Sequence, residues 1–157
     1  MKSSVSKETD LLIGLPSIIP NTDKHFFLAD FDNTNVKNLM EKVGRILFDK
    51  YKFGAVYLIK SSDKNYHLVS FSKQLTLKEY LKILKEIGSD EKFIEWVKKV
   101  KYGVIRLSRR SSHFKVPILL KVLIPPYKYK EDIFYRNLYF SFLKLESKIF
   151  EVKRVLV

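Results

Sequence analysis

Ala55-Val56-Tyr57-Leu58-Ile59-Lys60 and Tyr66-His67-Leu68-Val69-Ser70-Phe71 are two apolar runs separated by the polar stretch Ser61-Ser62-Asp63-Lys64-Asn65. β-Branched and aromatic side chains suit a pleated surface and polar residues suit a turn, so the pattern predicts a β-hairpin. Upstream, Val36, Leu39, Met40, Val43, Leu47 and Tyr51 recur at helical spacing. They predict a helix over 33–52, capped by Asp32 or Thr34 and stopped by Gly54. Before it, His25–Phe31 reads as a buried strand, while residues 1–24 are polar, with Pro20-Asn21 as a turn signal, and read as a mobile arm and loop.

Downstream, Thr76-Leu77-Lys78-Glu79 has the form of a capping box and opens a helix that ends at Ile87 before Gly88. A second helix starts at Ser89 and presents Phe93, Trp96, Val97 and Val100. Strands follow at Val104–Leu107 and Phe114–Ile124, the latter expected at an edge or bulged because Pro117 cannot donate to a ladder. Glu131–Phe150 is helical by composition, with room for a strand near its end. Helices clustered between antiparallel strand pairs define an α+β domain with a mixed or antiparallel sheet, not a doubly wound one. A chain of 157 residues has one core, so 25–157 is expected to be a single catalytic domain.

The formal charge is +13 and the pI is near 9.8, which favours a polyanionic partner. The sequence has neither a signal-peptide core nor an apolar run of membrane-spanning length, so a cytoplasmic location and no membrane partner are expected. Absence of cysteine excludes disulfides and thiolate metal sites, and His25, His67 and His113 are too few for a histidine-rich zinc site.

Asp30 and Asp32 stand one residue apart at the end of the first strand. Alternate strand residues share a face, so the pair would share Mg²⁺ or Mn²⁺, as phosphoryl-transfer chemistry requires. Equally, Asp30 would end the strand and Asp32 cap the helix. His67 would be a phosphate ligand or proton donor if it faced these carboxylates, and otherwise a half-buried strand histidine. Arg106, Arg109, Arg110, Ser111, Ser112, His113 and Lys115 form the densest basic stretch. Guanidinium and hydroxyl groups at one turn suit phosphate oxygens. Glu79 and Glu86 share a helix stripe away from the apolar face and read as solvated partners of Lys78, Lys82 and Lys85.

Asp30-Phe31-Asp32, with Gly14 and Ser17 upstream, resembles the acidic signature of nucleotidyltransferases, although there the glycine and serine are adjacent. With Lys60-Ser61-Ser62 and Tyr66-His67-Leu68 it is also similar to the archaeal primase-polymerase pattern. Asp30-Phe31-Asp32-Asn33-Thr34 resembles the first motif of haloacid-dehalogenase-type phosphatases, whose later acidic pair has no counterpart in the chain. Over its whole length, from Met1-Lys2-Ser3-Ser4 through Leu28-Ala29-Asp30-Phe31-Asp32-Asn33 to Arg109-Arg110-Ser111-Ser112, the chain resembles the nucleases of filamentous viruses of hot, acid-loving archaea. That resemblance implies a fold remotely like the nucleotidyltransferase topology, cleavage of linear double-stranded DNA in the host cytoplasm, and Glu86 as the essential catalytic residue.

The expected activity is therefore hydrolysis of a DNA phosphodiester by water, with no small-molecule cofactor beyond a divalent metal, Mg²⁺ first. Glu86 would be general base or metal ligand, Asp30 and Asp32 a metal site, and the Arg106–Lys115 stretch the phosphate cradle. A non-enzymatic basic DNA-binding protein and a nucleotidyltransferase- or primase-like enzyme are the two rivals.

Overall fold

The hairpin lies at the centre of a five-stranded sheet. The computed structural model describes residues 14–107, 117–146 and 153–156. Strands β1 (Gly14–Pro16) and β2 (His25–Phe31) lead into helix α1 (Val36–Lys42), which continues as a π-helical segment, π1 (Val43–Lys50). The hairpin is β3 (Val56–Ser62) and β4 (Asn65–Leu75), followed by α2 (Leu77–Ile87), α3 (Glu91–Val100) and β5 (Val104–Arg106). Strand β6 (Ile118–Ile124), helix α4 (Ile133–Glu146) and β7 (Lys153–Leu156) complete the α+β domain.

The large sheet has the order β2-β4-β3-β6-β7 and is antiparallel except for the parallel β6–β7 ladder, so it is mixed. Its central register is Leu58 opposite Leu68 and Ile59 opposite His67. Strand β6 is an inner strand: Leu58 faces Lys121 while Ile59 faces Leu119, which leaves Leu120 as the extra residue of a bulge. Pro117 precedes the ladder, where its missing N–H costs nothing.

Helices cover both faces. Phe26 packs on Tyr135 of α4, and its neighbour Phe27 packs on Tyr80 of α2, so successive β2 residues enter opposite halves of the core. This two-sided burial explains why β2 to β4 are nearly continuous apolar runs rather than alternating ones. Helix α4 is anchored at its start by Glu131, which accepts from the Tyr57 hydroxyl at 2.8 Å and from Arg136 Nη1 at 3.0 Å. Its outer side leaves Phe134, Leu138 and Phe142 exposed.

Four expectations are corrected. Residues 14–24 are not a mobile loop: β1 pairs with β5, Ser17 is fully buried, and Ile19 belongs to the core. Polar composition misled here because Ser17 is satisfied internally, by the His25 ring at 2.8 Å and by the Gly103 N–H at 2.9 Å. Asn35, not Asp32 or Thr34, caps α1, accepting from Asn38 N at 2.9 Å. Asp32–Thr34 instead loop over the hairpin turn, with Asn33 at φ 53 and Thr34 N donating to Lys64 O. Gly54 does not stop the helix, which ends at Lys50; a Cβ at Gly54 would fall 2.4 Å from the Tyr129 ring, so close packing demands the glycine. On α3, Ile94 is buried in place of Trp96, which stays half exposed.

A carboxylate cleft as the candidate functional site

Strand β2 forms one edge of the large sheet, and its outward backbone groups are closed off by three elements. Phe26 N donates to Ser17 O at 2.8 Å, and Leu28 O accepts from the Tyr80 hydroxyl of α2. At Asp30 the α2–α3 junction takes over. Gly88 ends α2 in the left-handed region at φ 77, and Ser89, buried behind it, uses its hydroxyl twice. The Ser89 oxygen accepts from Asp30 N at 3.2 Å and donates to Asp30 O at 2.9 Å, and Asp90 N adds a bond to the same carbonyl at 2.7 Å. Sealing the edge in this way removes the unpaired groups that would otherwise invite another strand.

The same clasp brings Asp90 to Asp30 and Asp32. Each of the three carboxylates offers an oxygen within 4.8 Å of the other two. The expected common orientation of Asp30 and Asp32 therefore holds. Asp90 sits at the N-cap of α3, yet its side chain accepts no bond from that helix.

Asp30 and Asp32 open into a cleft of about 390 Å³ that is also lined by Ser61, Asn65, His67 and Arg106, and Asp90 adjoins them from outside its lining. A bulge shapes its wall: Lys60 faces Tyr66 while Ser62 faces Asn65, which leaves Ser61 unpaired. Arg106 Nη2 donates to the Ser61 carbonyl at 3.1 Å, which fixes the guanidinium at the rim. His67 Nε2 lies 3.5 Å from Asp30 Oδ1, too far for a hydrogen bond, and its Nδ1 is buried without a partner.

These surroundings set the charges. Burial, then the Asp32 and Asp90 carboxylates, push Asp30 up to about 7, against the Phe31 N–H and Arg106. Burial and Asp90 also raise Asp32, with Lys92 opposing. Burial first, and Arg106 second, push the His67 imidazole down to about 3, so it stays neutral and cannot act as counterion to the carboxylates. Three carboxylates within reach of one another, two of them lining the cleft, would fit a hard divalent cation such as Mg²⁺, Mn²⁺ or Ca²⁺, which would replace the protons that burial and mutual repulsion favour.

Glu86 stands elsewhere. Its Oε1 accepts from the Tyr51 hydroxyl at 2.5 Å and its Oε2 from Lys50 Nζ, both at the end of π1. It does not line the cleft with Asp30 and Asp32. Its partner is Lys50, rather than a lysine of its own helix, and bonds from Lys50 and Tyr51 hold its carboxyl below the usual range. Glu79, on the same stripe, closes the capping box with Thr76. Arg109, Arg110, Ser111, His113 and Lys115 lie outside the described residues; of the expected basic stretch, Arg106 is placed, and it is at the cleft.

Asp90 and Ser89 went unnoticed in the sequence. Gly88-Ser89-Asp90-Glu91 carries the ordinary signature of a helix start, and that signature hides a carboxylate committed to another task. No helix among the described residues is long and apolar enough to cross a membrane. Searches against protein-family models, curated proteins and solved structures found no match.

Proposed function

We propose that this chain is a nuclease that hydrolyses phosphodiester bonds of linear double-stranded DNA with the help of a divalent metal, working in the cytoplasm of a host cell. The observation that carries the reading is the convergence of the Asp30, Asp32 and Asp90 carboxylates, the first two in a cleft that Arg106 also lines, on a chain of charge +13. When bound, the cation would supply charge neutralisation at the phosphate and a more acidic water. Asp30 and Asp32 would hold it, and Arg106 would orient a phosphate oxygen. Arg109, Arg110, Ser111, His113 and Lys115 follow in the chain and would extend the contact along the backbone. The α+β fold is compatible with the remote likeness to nucleotidyltransferases that the sequence resemblance implies.

Glu86 is the general base or a further ligand in this reading, as the resemblance implies. Lys50 and Tyr51 keep it ionised, which suits either task, but it must leave Lys50 to reach a phosphate held at the cleft. A second reading centres the chemistry on Glu86 itself, favoured by the two donors that fix its carboxylate at the surface.

Incubating the purified protein with linear duplex DNA tests the proposal, in Mg²⁺, in Mn²⁺, in EDTA, and with nucleoside triphosphates. Metal-dependent fragmentation is the expected result. Binding without cleavage would identify a non-enzymatic DNA-binding protein, and nucleotide incorporation a nucleotidyltransferase- or primase-like enzyme.

A further inference from the structure

We infer that Asp90 is the third ligand of a divalent cation site, and that His67 is the group that steadies Asp30 toward that cation. This deepens the nuclease reading and rests on its assignment of the Asp30–Asp32 cleft.

Three observations carry it. The first is the placement of Asp90. An aspartate at a helix N-cap ordinarily accepts from the first-turn N–H groups, and Asp90 accepts none. Its carboxylate is turned instead toward two others, where like charges repel unless a cation lies between them.

The second is His67. It is more than nine-tenths buried, it lines the cleft of Asp30 and Asp32, its Nδ1 has no partner among the described residues, and its Nε2 has only the long contact to Asp30. Buried polar atoms are nearly always paired, so an imidazole left this way points to a partner state in which it is used. Nε2 faces Asp30 Oδ1 at 3.5 Å, and a small shift of the carboxylate on cation binding would close that gap to a hydrogen bond. Carboxylates that bind metals are commonly held by such a neighbour.

The third is the rigidity of the mount. Asp90 N and the Ser89 hydroxyl bind both backbone groups of Asp30, so the ligands from β2 and α3 are tied together next to the side chains themselves. The donor set is oxygen throughout, which selects Mg²⁺, Mn²⁺ or Ca²⁺ over softer ions.

The test measures Mn²⁺ binding to the full chain by calorimetry and by the loss of the free-ion electron paramagnetic resonance signal. Asp90→Asn is the main variant, since asparagine is an equally good N-cap and the helix start is preserved. Glu95→Gln, an exposed carboxylate on the same helix, is the control. Asp90→Asn should weaken Mn²⁺ at least about tenfold and Glu95→Gln should match the parent. His67→Gln should weaken it while circular dichroism stays that of the parent. Parent-like Mn²⁺ affinity in Asp90→Asn, or no binding by the parent, overturns the site; parent-like affinity in His67→Gln overturns the role of His67. Cleavage of linear DNA is assayed in parallel. Mn²⁺ bound through Asp90 without cleavage would sink the nuclease reading and leave the metal site standing. Cleavage with unchanged Mn²⁺ binding in Asp90→Asn would do the reverse.

Discussion

Ser89 and Asp30, far apart in sequence, are joined by two hydrogen bonds through a single hydroxyl, which accepts from the Asp30 N–H at 3.2 Å and donates to the Asp30 carbonyl at 2.9 Å. Ser89→Ala removes both. The carbonyl keeps Asp90 N, but the Asp30 N–H is left without a partner at a part-buried position. The expected loss is about 1–3 kcal/mol of folding stability, read from urea melts. An unchanged midpoint would show that water replaces the hydroxyl and that the clasp is dispensable.

Glu86→Gln tests whether the carboxylate held by Lys50 and Tyr51 is needed for cleavage. The amide keeps an acceptor for Tyr51 but loses charge and basicity, so cleavage should fall by roughly 10²-fold or more, with DNA affinity unchanged. Glu79→Gln, which sits in the capping box, should stay active. If Glu86→Gln cuts DNA like the parent while Asp32→Asn is inactive, the chemistry belongs to the cleft alone.

DNA binding should be chiefly electrostatic. Affinity is expected to fall with salt at a slope of about −0.9 per phosphate neutralised, with little preference for sequence. Changing Arg109 and Arg110 together to Ala should flatten that slope on every DNA sequence tested. A slope identical to the parent's would move the contact surface away from the segment that follows Arg106.

Asp30 and His67 should contribute opposite pH dependences to stability in the metal-free protein. The fold raises Asp30 from 3.8 to about 7, so between these values the folded state holds a proton that the unfolded chain has released. Stability from this group is therefore greatest in acid and declines as pH rises through that window. The fold lowers His67 from 6.5 to about 3, so the unfolded chain binds the extra proton and stability declines as pH falls below 6.5. The two slopes oppose each other over roughly pH 4 to 6.5. Relative to the parent in EDTA, Asp30→Asn should lose stability on acidification, and His67→Gln should lose it as pH rises. Parallel curves for all three proteins would show that neither group titrates as the burial implies.

Much of this was legible before any coordinates. The hairpin, β2 and the Thr76–Glu79 capping box depend on local periodicity and turn chemistry, which the sequence carries within a few residues. The closeness of the Asp30 and Asp32 carboxylates agrees with the two-residue period of a strand, although β2 ends at Phe31 and Asp32 lies just beyond it. What stayed hidden depends on distant partners. Ser17 looks like loop until the Gly103 backbone is known to meet it, and Asp90 looks like a cap until β2 is placed beside it. The change from α1 to π1 is invisible for another reason, since Val43 and Leu47 face inward at the same spacing in either helix. Glu86 reads as a partner of lysines on its own helix because local pairs are all that a pattern reveals, whereas its hydrogen bonds come from Lys50, the last residue of π1, and from Tyr51 just after it.

The strand order also fixes when the cleft comes together during folding. Strands β3 and β4 are joined by Asp63 and Lys64 alone and can zip from that turn, whereas β2 must close a loop containing α1, π1 and β3 to reach β4. Long loops cost more entropy to close, so β2 is expected to join a hairpin that already exists, and the Ser89–Asp90 junction can clasp β2 only once it is there. The carboxylates are thus expected to meet late in folding, with their mutual repulsion opposing that step. In the native protein the order should run backwards, with local opening expected first at the Ser89–Asp30 junction and the slowest amide exchange expected in the β3–β4 ladder.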